Sequence, residues 1–83
     1  MLAESIKAAA RSVAGEVSTI RRQIHRHPEL SFQEFETARL VHEKLSQWGV
    51  AHDTGIAGTG VVARIEGRNP ETHCIALRAD MDA

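Results

Sequence analysis

Cysteine occurs once in the 83 residues, at Cys74, which excludes an internal disulfide and suits a reducing compartment. No surplus of either charge is present: the formal net charge is −1 with the five histidines neutral. That balance withholds the basic excess on which nucleic-acid and acidic-membrane binding usually rely. No apolar run is long enough to span a bilayer, and Met1-Leu2-Ala3-Glu4-Ser5 lacks the basic and apolar regions of a secretion leader. The expectation is a soluble, cytoplasmic protein that binds neither nucleic acid nor membrane. Internal repeats, low-complexity tracts and linkers are also missing. Length sets a further limit, because a chain this short is at most one small domain and buries only about 60% of the surface its unfolded form exposes.

What is present is patterned. Ile6, Ala10, Val13, Val17, Ile20 and Ile24 recur in steps of three and four, which lays one apolar stripe along a helix. Pro28 disfavours helical geometry at His27, so this helix should end there or just before. Gly15 is its weak point, costing about 1 kcal/mol relative to alanine. His25 and His27 are two residues apart, do not converge on a helix, and are expected to finish it by interacting with its C-terminal dipole rather than to bind metal.

A second helix is expected to begin at Phe32. Ser31 and Glu34 have the spacing of a reciprocal capping box, and Leu30 and Phe35 stand at the two staple positions. Phe35, Ala38, Val41, Leu45 and Trp48 mark the expected buried face, and Gly49 suits the left-handed position that ends the helix. His42, beside that stripe, reads as a satisfied or surface histidine, since no partner with metal-ligand spacing is apparent.

Beyond Gly49 the period changes. Residues 50–54 form a possible short strand, 55–60 a glycine-rich loop, 61–66 a strand, 68–71 a turn and 73–79 a second clear strand. The glycine run is followed by a strand rather than a helix, which favours a strand connection over a phosphate cradle. Cys74-Ile75-Ala76-Leu77 has no polar alternation, as expected of a strand covered on both faces, and Cys74 should be a small buried hydrophobe. Two helices followed by strands make this an α/β chain whose helices could cover one face of the sheet.

The strand of residues 73–79 leads into Asp80-Met81-Asp82. Ligands and metals gather at the carboxyl ends of strands in α/β folds, and alternation would put Asp80 and Asp82 on one face. A carboxylate pair so placed suits a metal site or its surroundings, and equally a solvated strand end. The expectation is that the chain stops at the edge of an active site.

The run Arg21-Arg22-Gln23-Ile24-His25-Arg26-His27-Pro28-Glu29-Leu30-Ser31-Phe32-Gln33-Glu34, with Thr37, the glycine-rich loop and Ala76-Leu77-Arg78-Ala79-Asp80-Met81-Asp82-Ala83, resembles one family. It is similar to the amino terminus of the dinuclear-metal amidohydrolases that include hippurate hydrolase, N-acyl-L-amino-acid amidohydrolases and auxin-conjugate hydrolases, within the aminoacylase and carboxypeptidase superfamily. The resemblance implies that residues 1–83 are the N-terminal portion of a three-layer α/β/α metallopeptidase-like catalytic domain, into which a lid or dimerisation domain is inserted further on. It implies a divalent metal (zinc, manganese, nickel or cobalt), a glutamate base, an N-acyl amino acid substrate and a possible homodimer for the full-length enzyme.

The resemblance places Asp82 where the family has an aspartate that orients the site without binding metal. Asp80 stands where many superfamily members have a metal-binding histidine, and is read as site-proximal only. The family's metal ligands and its base fall outside this chain, so no metal ligand is expected in it and the 83 residues alone should be inactive. The competing expectation is a free-standing interaction module that uses the helical hairpin and an open sheet edge.

Overall fold

The structure is a computed structural model that describes residues 1–82. Its order is α1 (Leu2–Arg26), α2 (Phe35–Gln47), β1 (Ala51–Ile56) and β2 (Gly60–Arg64), the helices-then-strands arrangement of an α/β fragment. No helix among the described residues is long and apolar enough to cross a membrane.

The first helix ends where Pro28 predicts. His27 closes it by donating its backbone N–H to the Ile24 carbonyl at 3.1 Å. The stripe is less buried than its pattern suggests: Ile6, Val13 and Val17 are exposed, while Ile20 and Ile24 are half-buried. Only the C-terminal end of α1 lies beside α2, across a groove lined in part by Gln23, Ile24, His27, Thr37 and Leu40.

The start of α2 departs from expectation. Phe32 adopts a left-handed backbone with φ 65°, which a helix cannot include, and the helix begins three residues later at Phe35. Glu34 is the N-cap residue and makes no capping hydrogen bond with its own side chain. The Ser31–Glu34 box therefore does not form. Leu30 and Phe35 are both exposed, so they bury no staple. Ala38, Val41 and Leu45 are half-buried as the stripe predicts, whereas Phe35 and Trp48 at its ends remain exposed. The C-terminus follows the local rule: Gly49 has φ 69°, its N–H reaches the Ser46 carbonyl at 3.2 Å and the Val50 N–H reaches Leu45 at 2.9 Å. These two bonds are the Schellman closure that Gly49 makes possible.

The glycine-rich run is the turn of an antiparallel hairpin. β1 and β2 pair from Ala51 opposite Arg64 to Ile56 opposite Gly60, with an irregularity between Asp53 and Ile56. The strands thus extend into the expected loop, leaving Ala57 and Gly58 at φ 51° and 99° to turn the chain. A Cβ on Gly60 would stand 2.5 Å from the Ile56 carbonyl oxygen. Gly60→Ala should therefore force the hairpin open at its tip, at a cost of about 1–3 kcal/mol typical of overpacking. Faster amide exchange confined to β1 and β2 is the expected readout, and unchanged protection would contradict it.

α2 packs on both strands of the hairpin. No hydrophobic residue is fully buried among those described, and the two buried side chains are Thr37, 5% exposed, and Thr59, 8% exposed. The turn predicted over residues 68–71 forms and extends by one residue, with the Thr72 N–H on the Asn69 carbonyl at 3.2 Å. The strand expected over residues 73–79 does not form. Its composition suits a covered strand, but a strand exists only with ladder partners, and β1 and β2 pair only with each other. Ile75 and Leu77 are consequently 86% and 95% exposed. Cys74, expected to be buried, is exposed for the same reason.

Candidate functional site

The loop from His27 to Glu34 ties three parts of the chain together. Glu29 sits five residues before the N-cap yet performs the capping. Its Oε2 accepts the Glu36 N–H at 2.9 Å, and its Oε1 accepts the Thr37 N–H at 2.7 Å and the Thr37 hydroxyl at 2.6 Å. Those amides are the second and third of the helix, which a capping side chain ordinarily satisfies. The negative charge also faces the positive end of the helix dipole. The Thr37 hydroxyl above all, and then the Glu36 and Thr37 amides, hold the Glu29 carboxyl below its ordinary value of 4.5 against an opposing effect of burial.

With Glu29 as the cap, both members of the predicted capping box are free for longer reaches. Ser31 donates its hydroxyl to Asp82 Oδ2 at 2.9 Å, across 51 residues of sequence. Glu34 Oε1 accepts the hydroxyl of the buried Thr59 at 3.2 Å. One short loop thus fixes the start of α2, the turn of the hairpin and the aspartate at the end of the chain.

The two predicted site residues take different partners. Asp82, exposed, has one carboxylate oxygen on Ser31. Asp80 Oδ1 accepts from Arg78 Nη2 at 3.0 Å, an exposed pair that contributes about 0–1 kcal/mol to stability. Only Asp82 is joined to the loop. Carboxylates held this way can orient a neighbouring group or accept a proton, but three or four convergent ligands are needed for a structural or catalytic metal centre. No group of three histidine, cysteine, aspartate or glutamate side chains that could hold a metal ion occurs among the described residues, and the metal ligands that the resemblance implies belong to the part of the enzyme outside these 83 residues.

Sequence reasoning missed two features. Glu29 was hidden by the better-looking Ser31–Glu34 spacing, although a threonine buried in the first turn of a helix needs an acceptor. His42, read as a satisfied or surface histidine, is exposed and satisfied by His52, ten residues away on β1; no local spacing rule connects the two. His25 lies in the last turn of α1 and His27 at its cap, as expected.

No family model matches the chain, and no solved structure does. Curated relatives are many. Thermostable carboxypeptidase 1 of Saccharolobus solfataricus is 43% identical over 83 residues, covering 99% of this chain and 21% of its own length. N-acyl-L-amino acid amidohydrolase of Geobacillus stearothermophilus is 43% identical over 83 residues, covering all of this chain and 22% of its own length. An IAA-amino acid hydrolase of Arabidopsis thaliana is 44% identical over 64 residues, 77% of this chain and 13% of its own. The chain thus spans about one fifth of the length of the first two. With this identity over almost every residue, the relationship is one of homology: the chain belongs with the amidohydrolase and carboxypeptidase family, of which it carries about one fifth of a member's length.

Proposed function

We propose that this chain contributes the Asp82 edge of an active site that hydrolyses the amide bond between an acyl group and an amino acid. The carrying observation is the 43% identity with an N-acyl-L-amino acid amidohydrolase over all 83 residues, joined to the Ser31–Asp82 contact. The relatives named as carboxypeptidases and as an IAA-amino acid hydrolase share a chemical denominator, since each name describes release of an amino acid. In this reading the substrate is an N-acyl amino acid, and a divalent metal and a glutamate base act from outside these 83 residues. Asp82 orients the reacting groups, Ser31 holds Asp82, and Asp80 lies close by with a smaller role. The 83 residues alone are inactive. A cytoplasmic location and a dimer formed through an inserted domain belong to the same proposal.

The exposed Ile75 and Leu77, and the open stripe on α1, would also suit a free-standing interaction module, and catalysis separates the two readings. The test is a chimera in which this chain replaces the matching segment of the Geobacillus stearothermophilus amidohydrolase. It should cleave an N-acetyl amino acid at a rate within about tenfold of the natural enzyme, because substitutions away from the reacting groups mostly leave the chemistry intact. A folded chimera without hydrolysis would refute the proposal.

A further inference from the structure

α1 runs for 25 residues, and among the described residues it buries none of its side chains. Helices in folded proteins draw most of their stability from packing an amphipathic face, so this one lacks its main support. Ala3, Ile6, Ala10, Val13, Val17, Ile20 and Ile24 alternate in steps of three and four without a break over three heptads. That strict spacing is the narrow seam of a coiled coil, where a helix packed on a globular core has a broader stripe. Ala3, Ile6, Ala10, Val13 and Val17 are exposed. The C-terminal end of the seam is already engaged, since Ile20 and Ile24 are half-buried and Ile24 lines the groove beside α2.

The residues beside the seam select an orientation. In a heptad lettered a to g, Ala3, Ala10, Val17 and Ile24 stand at a, and Ile6, Val13 and Ile20 at d. Gly15 and Arg22 then fall at f, farthest from the seam, while Glu16 falls at g and Arg21 at the following e. Across a parallel pair of helices these last two positions meet, so Glu16 of each copy faces Arg21 of the other, twice by symmetry. Both residues are exposed, and neither has an ion pair among the described residues. The corresponding pairs nearer the N-terminus are Leu2 with Lys7 and Ala9 with Ala14, which oppose no like charges and let the Lys7 stem cover the exposed Leu2. The antiparallel arrangement that sets Ile6 against Ile24 of the second copy instead places Lys7 against Arg21 and Glu16 against Glu16, repulsive in both places.

We propose that α1 is a self-association surface whose seam from Ala3 to Ile20 pairs, in parallel and in register, with α1 of a second copy of this chain. A strict heptad repeat winds the helices into a left-handed supercoil that keeps the seam aligned, and Ile24 stays on α2. β-Branched residues at d as well as at a admit a third copy, in which the same Glu16–Arg21 pairs recur. The surface is separate from the Ser31–Asp82 contact, which lies beyond the end of α1.

The experiment is sedimentation equilibrium with circular dichroism on the 83-residue chain at low salt, from roughly 10 μM to about 1 mM. The mass should rise to that of two or three copies, helix content should rise with it, and the melting temperature should increase with concentration. Val13→Asp should leave a monomer, and because Val13 is exposed the substitution removes no packing from the single chain. Glu16→Lys and Arg21→Glu should each weaken association about tenfold. Mixing those two variants should restore it, because both cross-pairs then join opposite charges, while Arg22→Glu, the same charge change at f, leaves association as it was. A monomer throughout the range, association unmoved by Val13→Asp, or a mixture no tighter than either charge variant alone would each overturn the proposal. A monomer whose α1 amides gain exchange protection only in the Geobacillus stearothermophilus chimera would overturn it in favour of the remainder of the enzyme as the occupant.

Discussion

Asp82→Ala in the Geobacillus chimera is expected to lower turnover of an N-acetyl amino acid by about 10 to 100-fold, the range seen when a carboxylate that orients an active site is removed. The Michaelis constant should change far less, because Asp82 is expected to act on the reacting groups and not on the substrate. Its carboxylate is exposed and has one oxygen on the Ser31 hydroxyl, which leaves the other oxygen available to a group from the remainder of the enzyme. Asp80→Ala should do less, since Asp80 is paired with Arg78 in an exposed contact that does not reach the loop. Parallel kinetics on the two variants check this. An unimpaired Asp82→Ala enzyme, or an equal loss in both, would remove Asp82 from its assigned role.

Glu29→Ala carries the largest expected loss of stability. The substitution deletes the acceptor for two helix amides and for the buried Thr37 hydroxyl in one step, and unpaired buried donors are costly. The melting temperature of the chain should fall by roughly 5 °C or more, with exchange protection lost first at the start of α2. Ser31→Ala should leave that protection intact, because Ser31 does not cap the helix.

The pH dependence follows from the direction of the Glu29 shift. Its carboxyl is held below the ordinary value of 4.5 in the fold, so the folded state favours the charged form. That contribution is complete above the unfolded value and disappears as the pH falls through the lowered folded value. Thermal unfolding of the natural chain should weaken across this acid range, and Glu29→Gln should flatten that part of the curve. A Glu29→Gln chain with an unaltered acid limb would show that Glu29 is not the cap.

The sequence made legible those features that are settled within a few residues. Pro28 stops α1 at His27, and Gly49 closes α2, because proline and a left-handed glycine act on their immediate neighbours. The change to strand pattern after Gly49 announced the hairpin, though its pairing reached further into the glycine run than composition indicated. Long-range choices were not legible. Ser31 and Glu34 satisfy the spacing of a local box, yet Glu29 wins the helix amides because it also satisfies Thr37, and the positive φ at Phe32 then removes Ser31 from the helix. The same competition sends Ser31 to Asp82 and Glu34 to Thr59. Residues 73–79 carry the composition of a covered strand, but composition cannot supply the partners a ladder needs. Asp82 was singled out from its position and from the family resemblance; its link to Ser31 required three-dimensional placement.

The contact between Ser31 and Asp82 is where the loop meets the proposed chemistry, and a double-mutant cycle on the chimera tests it most directly. The values of kcat/KM would be measured for the chimera, Ser31→Ala, Asp82→Ala and the double variant, with Ser31→Thr to restore the hydroxyl. If Ser31 acts by holding Asp82, Ser31→Ala lowers kcat, Ser31→Thr recovers part of it, and the double variant is no worse than Asp82→Ala, corresponding to a coupling of about 0.5–3 kcal/mol. Losses that simply multiply, with no recovery by threonine, would contradict the account.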